Sequence, residues 1–548
     1  MHKKKVCVIG AGASGLAAVK WCLQEGLDVI CYDKRPLIGG LWSLENEDSR
    51  NDSNNPANIQ CRPYASCITN DNKEALSYSD FRFPKDVSMY ISAKRLGKFF
   101  EDYADTFKLR PHINLNTQVV NVKREINGSG WVVTTKLVDT TDSEGVAETV
   151  DAVVICTGIH NRQYIPNVNG LGSFKGRIVH SGDYYKPEAF RGQNVLIVGG
   201  SNSAAEIACD ISKESNQAYL SARCGLWPLA RLAGGIPGQL MPPWSRYTNM
   251  RYDLRYFDKL FGPAIRQRFN FEDYSMEPKR GLLRMAVAVC DDIEFRIAAG
   301  ALKMKGSIKQ ITETGVKFED GSQIDDIDAF VFATGYRPCI DFLEDPVVGD
   351  IETMHLYKHI LPVEDESHSL FLIGHLQIVG GAIPCFELQA RVAVRIIAEK
   401  LELPSKEVMK KCVEDDRRRI KDIFGDGEYS YKIMEFYPKY IESIADVLDV
   451  RPTPWRIFLL YFTDPKLAHQ LLFGFPLAAC FRLYGPHSNW DEARKYIMES
   501  EDNLMRPLRT VQYANETKGF LNKGTVCAAS IATGLIAAFV WHRIFHIC

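Results

Sequence analysis

The sequence carries no excess of charge of one sign. Its 66 Lys and Arg against 68 Asp and Glu leave a formal charge of −2, so it lacks the basic surplus of a dedicated nucleic-acid binder. It has no C-x-x-C pair. Its 15 cysteines follow no repeating spacing, which argues against zinc ribbons and thioredoxin-type redox pairs, and no metal is expected. Unpaired thiols at this density point to a reducing compartment. Collagen-like repeats, coiled coil and wholesale disorder are excluded as the main architecture. What remains is an ordinary globular composition, 46% hydrophobic and 24% charged over 548 residues. That length allows roughly two to four domains.

The ends of the chain differ in kind. Lys3, Lys4 and Lys5 precede the apolar run Val6–Ile9 and mimic a signal peptide. Gly10, Gly12 and Gly15 follow at once and would weaken a signal helix, so a strand and a tight turn are the better reading. Residues Thr525 to Trp541 (TVCAASIATGLIAAFVW) contain no charge. As a helix they would span about 26 Å, close to the apolar thickness of a bilayer. Trp541 and Arg543 stand where interfacial anchors belong. A C-terminal membrane helix is therefore expected, with the bulk of the chain in the cytosol.

Two segments repeat one pattern. The strand Val6–Ile9 runs into Gly10-Ala11-Gly12-Ala13-Ser14-Gly15 and then a helix. Gly10 allows the turn, Gly12 lets a pyrophosphate approach, and Gly15 lets the helix pack on the strand. Asp33 follows at the end of the next strand, where an acid grips ribose hydroxyls. The second copy is Gly199-Gly200-Ser201-Asn202-Ser203-Ala204 after Val195–Val198. It departs from the pattern, with Ser201 in place of the middle glycine and Ala204 in place of the last. Arg223 follows its next strand, and a cation there suits the 2′-phosphate of NADPH. Two apolar strands ending in Thr-Gly, AVVICTG at 152–158 and AFVFATGY at 329–336, complete the duplication. Two dinucleotide units on one chain imply electron transfer between two cofactors, FAD on the first and NADPH on the second.

Elsewhere, Asn127-Gly128 between alternating runs predicts a hairpin. Residues 225–300 are irregular and mix aromatics with Arg246, Arg251, Arg255, Lys259, Arg266 and Arg268. With so balanced a net charge, this mixing reads as a membrane-facing or solvated surface, and no nucleic acid is expected. From about residue 404 the chain reads as helical. WRIFLLYF at 455–462 and LLFGFPLAACF at 471–481 are read either as membrane-facing or as core. His180 reads as a structural hydrogen-bonding residue. No cysteine follows Gly39-Gly40, which argues against a flavin disulfide reductase.

Between the two nucleotide motifs, Phe174, Gly176, His180 and Tyr184 match FxGxxxHxxx(Y/F). With Gly39-Gly40-Leu41-Trp42, Ile68-Thr69-Asn70 before Lys73-Glu74, Phe332-Ala333-Thr334-Gly335-Tyr336, and Gly374–Arg391 with Gln377, Glu387 and Gln389, the chain resembles the flavin-containing monooxygenases of the membrane-bound animal type. The resemblance covers essentially the whole chain. It implies that NADPH reduces FAD, that O₂ adds to give a C4a-hydroperoxyflavin, and that a nitrogen or sulfur centre of a small lipophilic amine or sulfide takes one oxygen. It implies Asn70 as the active-site residue. Gly40, Leu41, Trp42, Thr69, Thr334, Gly335 and Gln377 join the motif residues as cofactor-binding. It also implies an endoplasmic-reticulum membrane location. Baeyer–Villiger oxygenation of ketones, and an enzyme that mainly leaks H₂O₂ because Ser201 loosens NADP⁺, stay open as alternatives, as does a homo-oligomer.

The expected fold is therefore α/β, with two Rossmann-like domains, the NADPH domain inserted in the FAD domain. Residues 1–165 and 336–450 form the FAD domain, 166–335 the NADPH domain with its insert at about 225–300, 451–524 a helical membrane-associated region, and 525–548 the anchor.

Overall fold

The computed structural model describes residues 3–43, 61–125, 130–138, 145–233, 235–238, 245–247, 257–268, 270–282, 284–285, 287–345, 351, 354–425 and 434–511. The expected membrane helix at 525–548 lies outside them. Among the described residues, no helix is long and apolar enough to cross a membrane.

Two five-stranded parallel sheets carry the fold. The first runs Leu370–Leu372, Ala152–Ile155, Lys5–Ile9, Asp28–Tyr32, Ile113–Asn114. The second runs Arg177–His180, Ala329–Phe332, Asn194–Val198, Gln217–Ser221, Leu302–Lys305. In each, the strand entering a glycine motif is central. On one side of it lies the strand that ends before Thr-Gly, and on the other the strand that follows the motif helix. The strands that end before Thr-Gly are continuous apolar runs because both faces are covered. All four residues of Ala152–Ile155 and of Ala329–Phe332 are buried. The strands of the second sheet lie within 177–332, and the first sheet resumes at Leu370. One unit is thus threaded into the other.

The glycine turns are sterically enforced. Gly10 has φ +106°, and a Cβ there would lie 2.7 Å from the Cys156 carbonyl oxygen. A Cβ on Gly15 would lie 1.7 Å from the carbonyl oxygen of Gly10. The helix Ala13–Glu25 can sit on its strand only because that atom is missing. The helix ends at Gly26, in the left-handed region, whose N–H returns to Leu23.

The segment joining the units explains its own fingerprint. Phe174 packs edge-on against Phe330, with ring centroids 4.6 Å apart. A Cβ on Gly176 would collide with the Asp328 carbonyl at 2.4 Å and with the Phe174 ring at 2.5 Å. His180 Nδ1 accepts the Gly182 N–H, and Nε2 donates to the Gly335 carbonyl, both at 3.0 Å. Burial holds this imidazole's pKa below its ordinary value. Tyr184 donates to Asp210 in the helix after the second glycine motif, at 2.8 Å. The four positions bolt the linker to the second sheet and its helix.

A mixed sheet backs the first unit: Thr117–Arg124 pairs antiparallel with Trp131–Leu137 and parallel with Leu343–Glu344, while the expected Asn127-Gly128 turn lies outside the described residues. The C-terminal part is helical, as its sequence predicts. The two runs left between membrane and core divide. Residues 471–481 are largely buried, whereas the helix Pro454–Thr463 exposes Trp455, Phe458, Leu459 and Phe462.

Candidate active site

A cavity of about 910 Å³ opens where the two units face each other. Its walls include Gly10, Gly12, Ser14, Asp33, Gly40, Leu41 and Trp42 from the first motif region, Thr69 and Asn70 from the strand Ile68–Asn72, Gln377, and Asn202 and Ser203 from the second motif. Twelve residues singled out in the sequence thus share one space. Gly15, Gly199, Ser201, Arg223, Thr334 and Gly335 do not line it. Gly15 and Gly199 sit behind the motifs as packing glycines. A Cβ on Gly199 would lie 2.4 Å from the Ala333 carbonyl oxygen. Thr334 donates to the Tyr164 carbonyl, and the Gly335 carbonyl accepts from His180 and from the Tyr164 N–H. Both therefore serve the linker. Arg223 is exposed just past the strand Gln217–Ser221. Ser201 has extended backbone (φ −129°), which does not require glycine.

Both motif helices present uncapped N-termini to the cavity. Neither Gly12 nor Ser201 makes a side-chain cap, so first-turn N–H groups are left to a ligand. Such a terminus is a ready site for a phosphate. Gly12 and Gly40 meet backbone to backbone, and a Cβ on Gly40 would lie 2.9 Å from the Gly12 Cα. Asp33 is buried in the wall, and its carboxylate accepts from the N–H groups of Ala11 (2.6 Å) and Arg35 (2.8 Å). Burial raises its pKa, and those two bonds oppose the rise. A bent glycine cradle, a free helix end and an acid one strand over fit an adenine dinucleotide on the first unit.

The residues after Asn70 are scaffold. Lys73 is buried, and its Nζ donates to the carbonyls of Pro84, Lys85 and Val87. Asn72 Oδ1 caps the N–H groups of Glu74 and Ala75. Glu387 accepts from the N–H and hydroxyl of Ser79, and Gln389 ties Gly374 to Tyr440.

One residue the sequence reading passed over organises the site. Arg231, from the irregular insert, donates from Nε to the Thr69 carbonyl at 3.1 Å and from Nη2 to Asn70 Oδ1 at 3.0 Å. It pairs with Glu206 on the second motif helix and with Asp291 at 2.8 Å. Glu206 in turn accepts from the Tyr64 hydroxyl. With Oδ1 turned to a guanidinium, the amide nitrogen of Asn70 is its donor group. Asn202 accepts the Val289 N–H at 2.7 Å and fastens the insert to the same helix.

Two dinucleotide-binding units closing on one cavity define a class, the oxidoreductases that pass electrons between two bound cofactors. A family model described as flavin-binding monooxygenase-like matches residues 3–542, and the chain belongs to that family. It is 35% identical over 534 residues to flavin-containing monooxygenase 5 of Rattus norvegicus, covering 95% of this chain and 96% of that one. It is 36% identical over 520 residues to dimethylaniline monooxygenase [N-oxide-forming] 2 of Cavia porcellus, covering 92% and 93%. Among solved structures, the S-allyl-L-cysteine S-oxygenase of Allium sativum matches with a TM-score of 0.59 at 20% identity, covering 91% of this chain and 99% of that one. At that identity the likeness speaks for the fold. The chain is an NADPH-dependent flavoprotein monooxygenase that uses FAD.

Proposed function

We propose that the chain transfers one atom of O₂ to a nitrogen or sulfur centre of a small lipophilic compound, with Asn70 as the residue at the reaction centre. The observation that supports this reading is the shared cavity, whose lining includes Asn70 together with the first glycine cradle and Asn202 and Ser203 of the second motif helix. The names of two matched proteins, one N-oxide-forming and one an S-oxygenase, support the choice of heteroatom.

When bound, FAD and NADPH supply the redox chemistry, and the protein supplies binding and orientation. The free N–H groups at Gly12 and its helix bind the FAD pyrophosphate, and Asp33 accepts from the ribose hydroxyls. Asn202 and Ser203 open the helix that faces the second pyrophosphate, and Arg223 meets the 2′-phosphate. The Asn70 amide nitrogen donates a hydrogen bond toward the reacting face, and Arg231 fixes which way that amide points. The substrate needs no base from the protein, because an amine or thioether already offers a lone pair.

The test is product analysis with NADPH, O₂ and three substrates: a tertiary amine, a thioether and a cyclic ketone. An N-oxide and a sulfoxide support the reading. Ester or lactone as the main product replaces it with Baeyer–Villiger chemistry, and H₂O₂ without product replaces it with an oxidase.

Membrane association, with the catalytic units on the cytosolic face of the endoplasmic reticulum, belongs to the same proposal. Trp455, Phe458, Leu459 and Phe462 are 60%, 44%, 48% and 73% exposed. Their spacing puts them on one helix face, an unusual surface in water. Loss of liposome binding on replacing Trp455 and Phe462 by serine supports this placement, and unchanged binding argues against it.

A further inference from the structure

The glycine motifs and the cavity leave one chemical feature unused. Cys209 and Cys290 are both buried, and their sulfurs lie 3.6 Å apart. Cys209 is on the helix Asn202–Ile211, three residues after Glu206, so the two share a helix face. Glu206 lines the cavity. Cys290 follows the short strand Ala288–Val289, and its N–H donates to the Leu229 carbonyl at 3.0 Å. The next residue is Asp291, which accepts from both the backbone N–H and the guanidinium of Arg231. The thiol pair therefore sits directly behind the ion pairs that hold Arg231.

We propose that Cys209 and Cys290 are a redox-modification site, closed to a disulfide by hydrogen peroxide in the folded enzyme, which fastens the insert carrying Arg231 to the second motif helix. A disulfide needs the sulfurs at about 2.05 Å, so each side chain has to swing only enough to close about 1.5 Å between them. The two sulfurs are unequal. Cys290 is the better nucleophile, because its contact with Cys209 and the nearby Asp292 N–H hold its pKa down, while the same contact pushes Cys209 up. In the first step the Cys290 sulfur attacks peroxide. An S–O bond forms, the O–O bond breaks, and the departing hydroxide takes the thiol proton and leaves as water. In the second step the Cys209 sulfur attacks the sulfenic sulfur. The S–S bond forms, the S–O bond breaks, and the hydroxyl leaves as water with the Cys209 proton. In sum, two thiols and one peroxide give one disulfide and two waters. Peroxide is also the by-product of a flavin monooxygenase whose oxygen transfer fails, which would place the oxidant one helical turn away.

The experiment uses the full-length FAD-loaded protein and added H₂O₂, so it reads the site whatever the substrate proves to be. After treatment, free thiols are alkylated and non-reduced peptides are mapped. We expect a Cys209–Cys290 linked peptide that disappears on thiol reduction. We also expect the unfolding midpoint to rise by several degrees, reversibly. In Cys209→Ala the link is lost, Cys290 stops at a sulfenic acid that dimedone traps, and the midpoint does not move. Both thiols remaining alkylatable in the treated native protein would overturn the proposal. So would a link that forms only after denaturation, or an identical midpoint shift in Cys209→Ala.

Discussion

Arg231 Nη2 donates to Asn70 Oδ1 at 3.0 Å, although 161 residues separate the two in the chain. This bond sets the direction of the Asn70 amide, and it is anchored from the far side by Glu206 and Asp291. An insert that looks irregular in sequence thus positions Asn70, a residue of the cavity wall. Replacing Arg231 by Gln is expected to leave a folded, yellow protein. Its yield of oxygenated product per NADPH should fall by up to about 100-fold, since small misplacements near a reacting group cost that much. Arg231→Lys should recover little, because one ammonium cannot serve the Thr69 carbonyl and the Asn70 amide in the fixed geometry of a guanidinium. Product-to-NADPH ratios measured alongside flavin content check this.

Two neighbouring glycines should fail differently. A Cβ on Gly15 meets the Gly10 carbonyl oxygen at 1.7 Å, whereas on Gly12 its nearest neighbour is the Gly40 Cα at 3.5 Å. Gly15→Ala is expected to cost the fold. Gly12→Ala is expected to keep it and lose FAD, because the new methyl stands in the phosphate path. Circular dichroism together with flavin absorbance separates the two outcomes.

Arg223 is the predicted reader of the 2′-phosphate. A charge-assisted hydrogen bond is worth about 1.5–3 kcal/mol. Arg223→Ala should therefore raise the KM for NADPH by roughly ten- to a hundredfold and leave the KM for NADH nearly unchanged. Equal changes for both cofactors would remove Arg223 from that role.

Glu74 carries a pH dependence of stability. It is buried, and burial pushes its pKa from 4.5 up to about 7, against the opposing pull of Arg82, Lys73 and Tyr496. A raised folded-state pKa means that the folded chain binds the extra proton. Stability from this group is full below about pH 4.5 and is lost as the pH rises to about 7. Glu74→Gln should match the wild type at the acid end of that window. By pH 7.5 it should be more stable, by about 3 kcal/mol at most. Thermal unfolding across this range shows the gap opening with pH, or shows that it does not.

The sequence made the two glycine motifs, their flanking strands and Asp33 readable because those features are local. Each depends on a turn, a helix start and an acid about twenty residues on. The fingerprint Phe174, Gly176, His180, Tyr184 was readable as a pattern, and its physical content appeared only with Gly335, Asp328 and Asp210 in place. Thr334 and Gly335 echo Thr157 and Gly158, which line the cavity, while their own hydrogen bonds run to Tyr164 and His180. Arg231 was hidden among ten other basic residues of the insert. Nothing in its neighbourhood pointed to partners at 69, 70 and 206, since those contacts exist only after the two sheets have packed together. Cys209 and Cys290 were lost for the same reason, 81 residues apart.

The central claim is that electrons from one bound nucleotide and oxygen from solution meet in one cavity beside Asn70. Turnover under ¹⁸O₂ with NADPH and a thioether tests it most directly. The account predicts one ¹⁸O atom in the sulfoxide and none when the label is instead in water. A sulfoxide whose oxygen comes from water, or NADPH oxidised with no labelled product in the intact FAD-loaded protein, would contradict it.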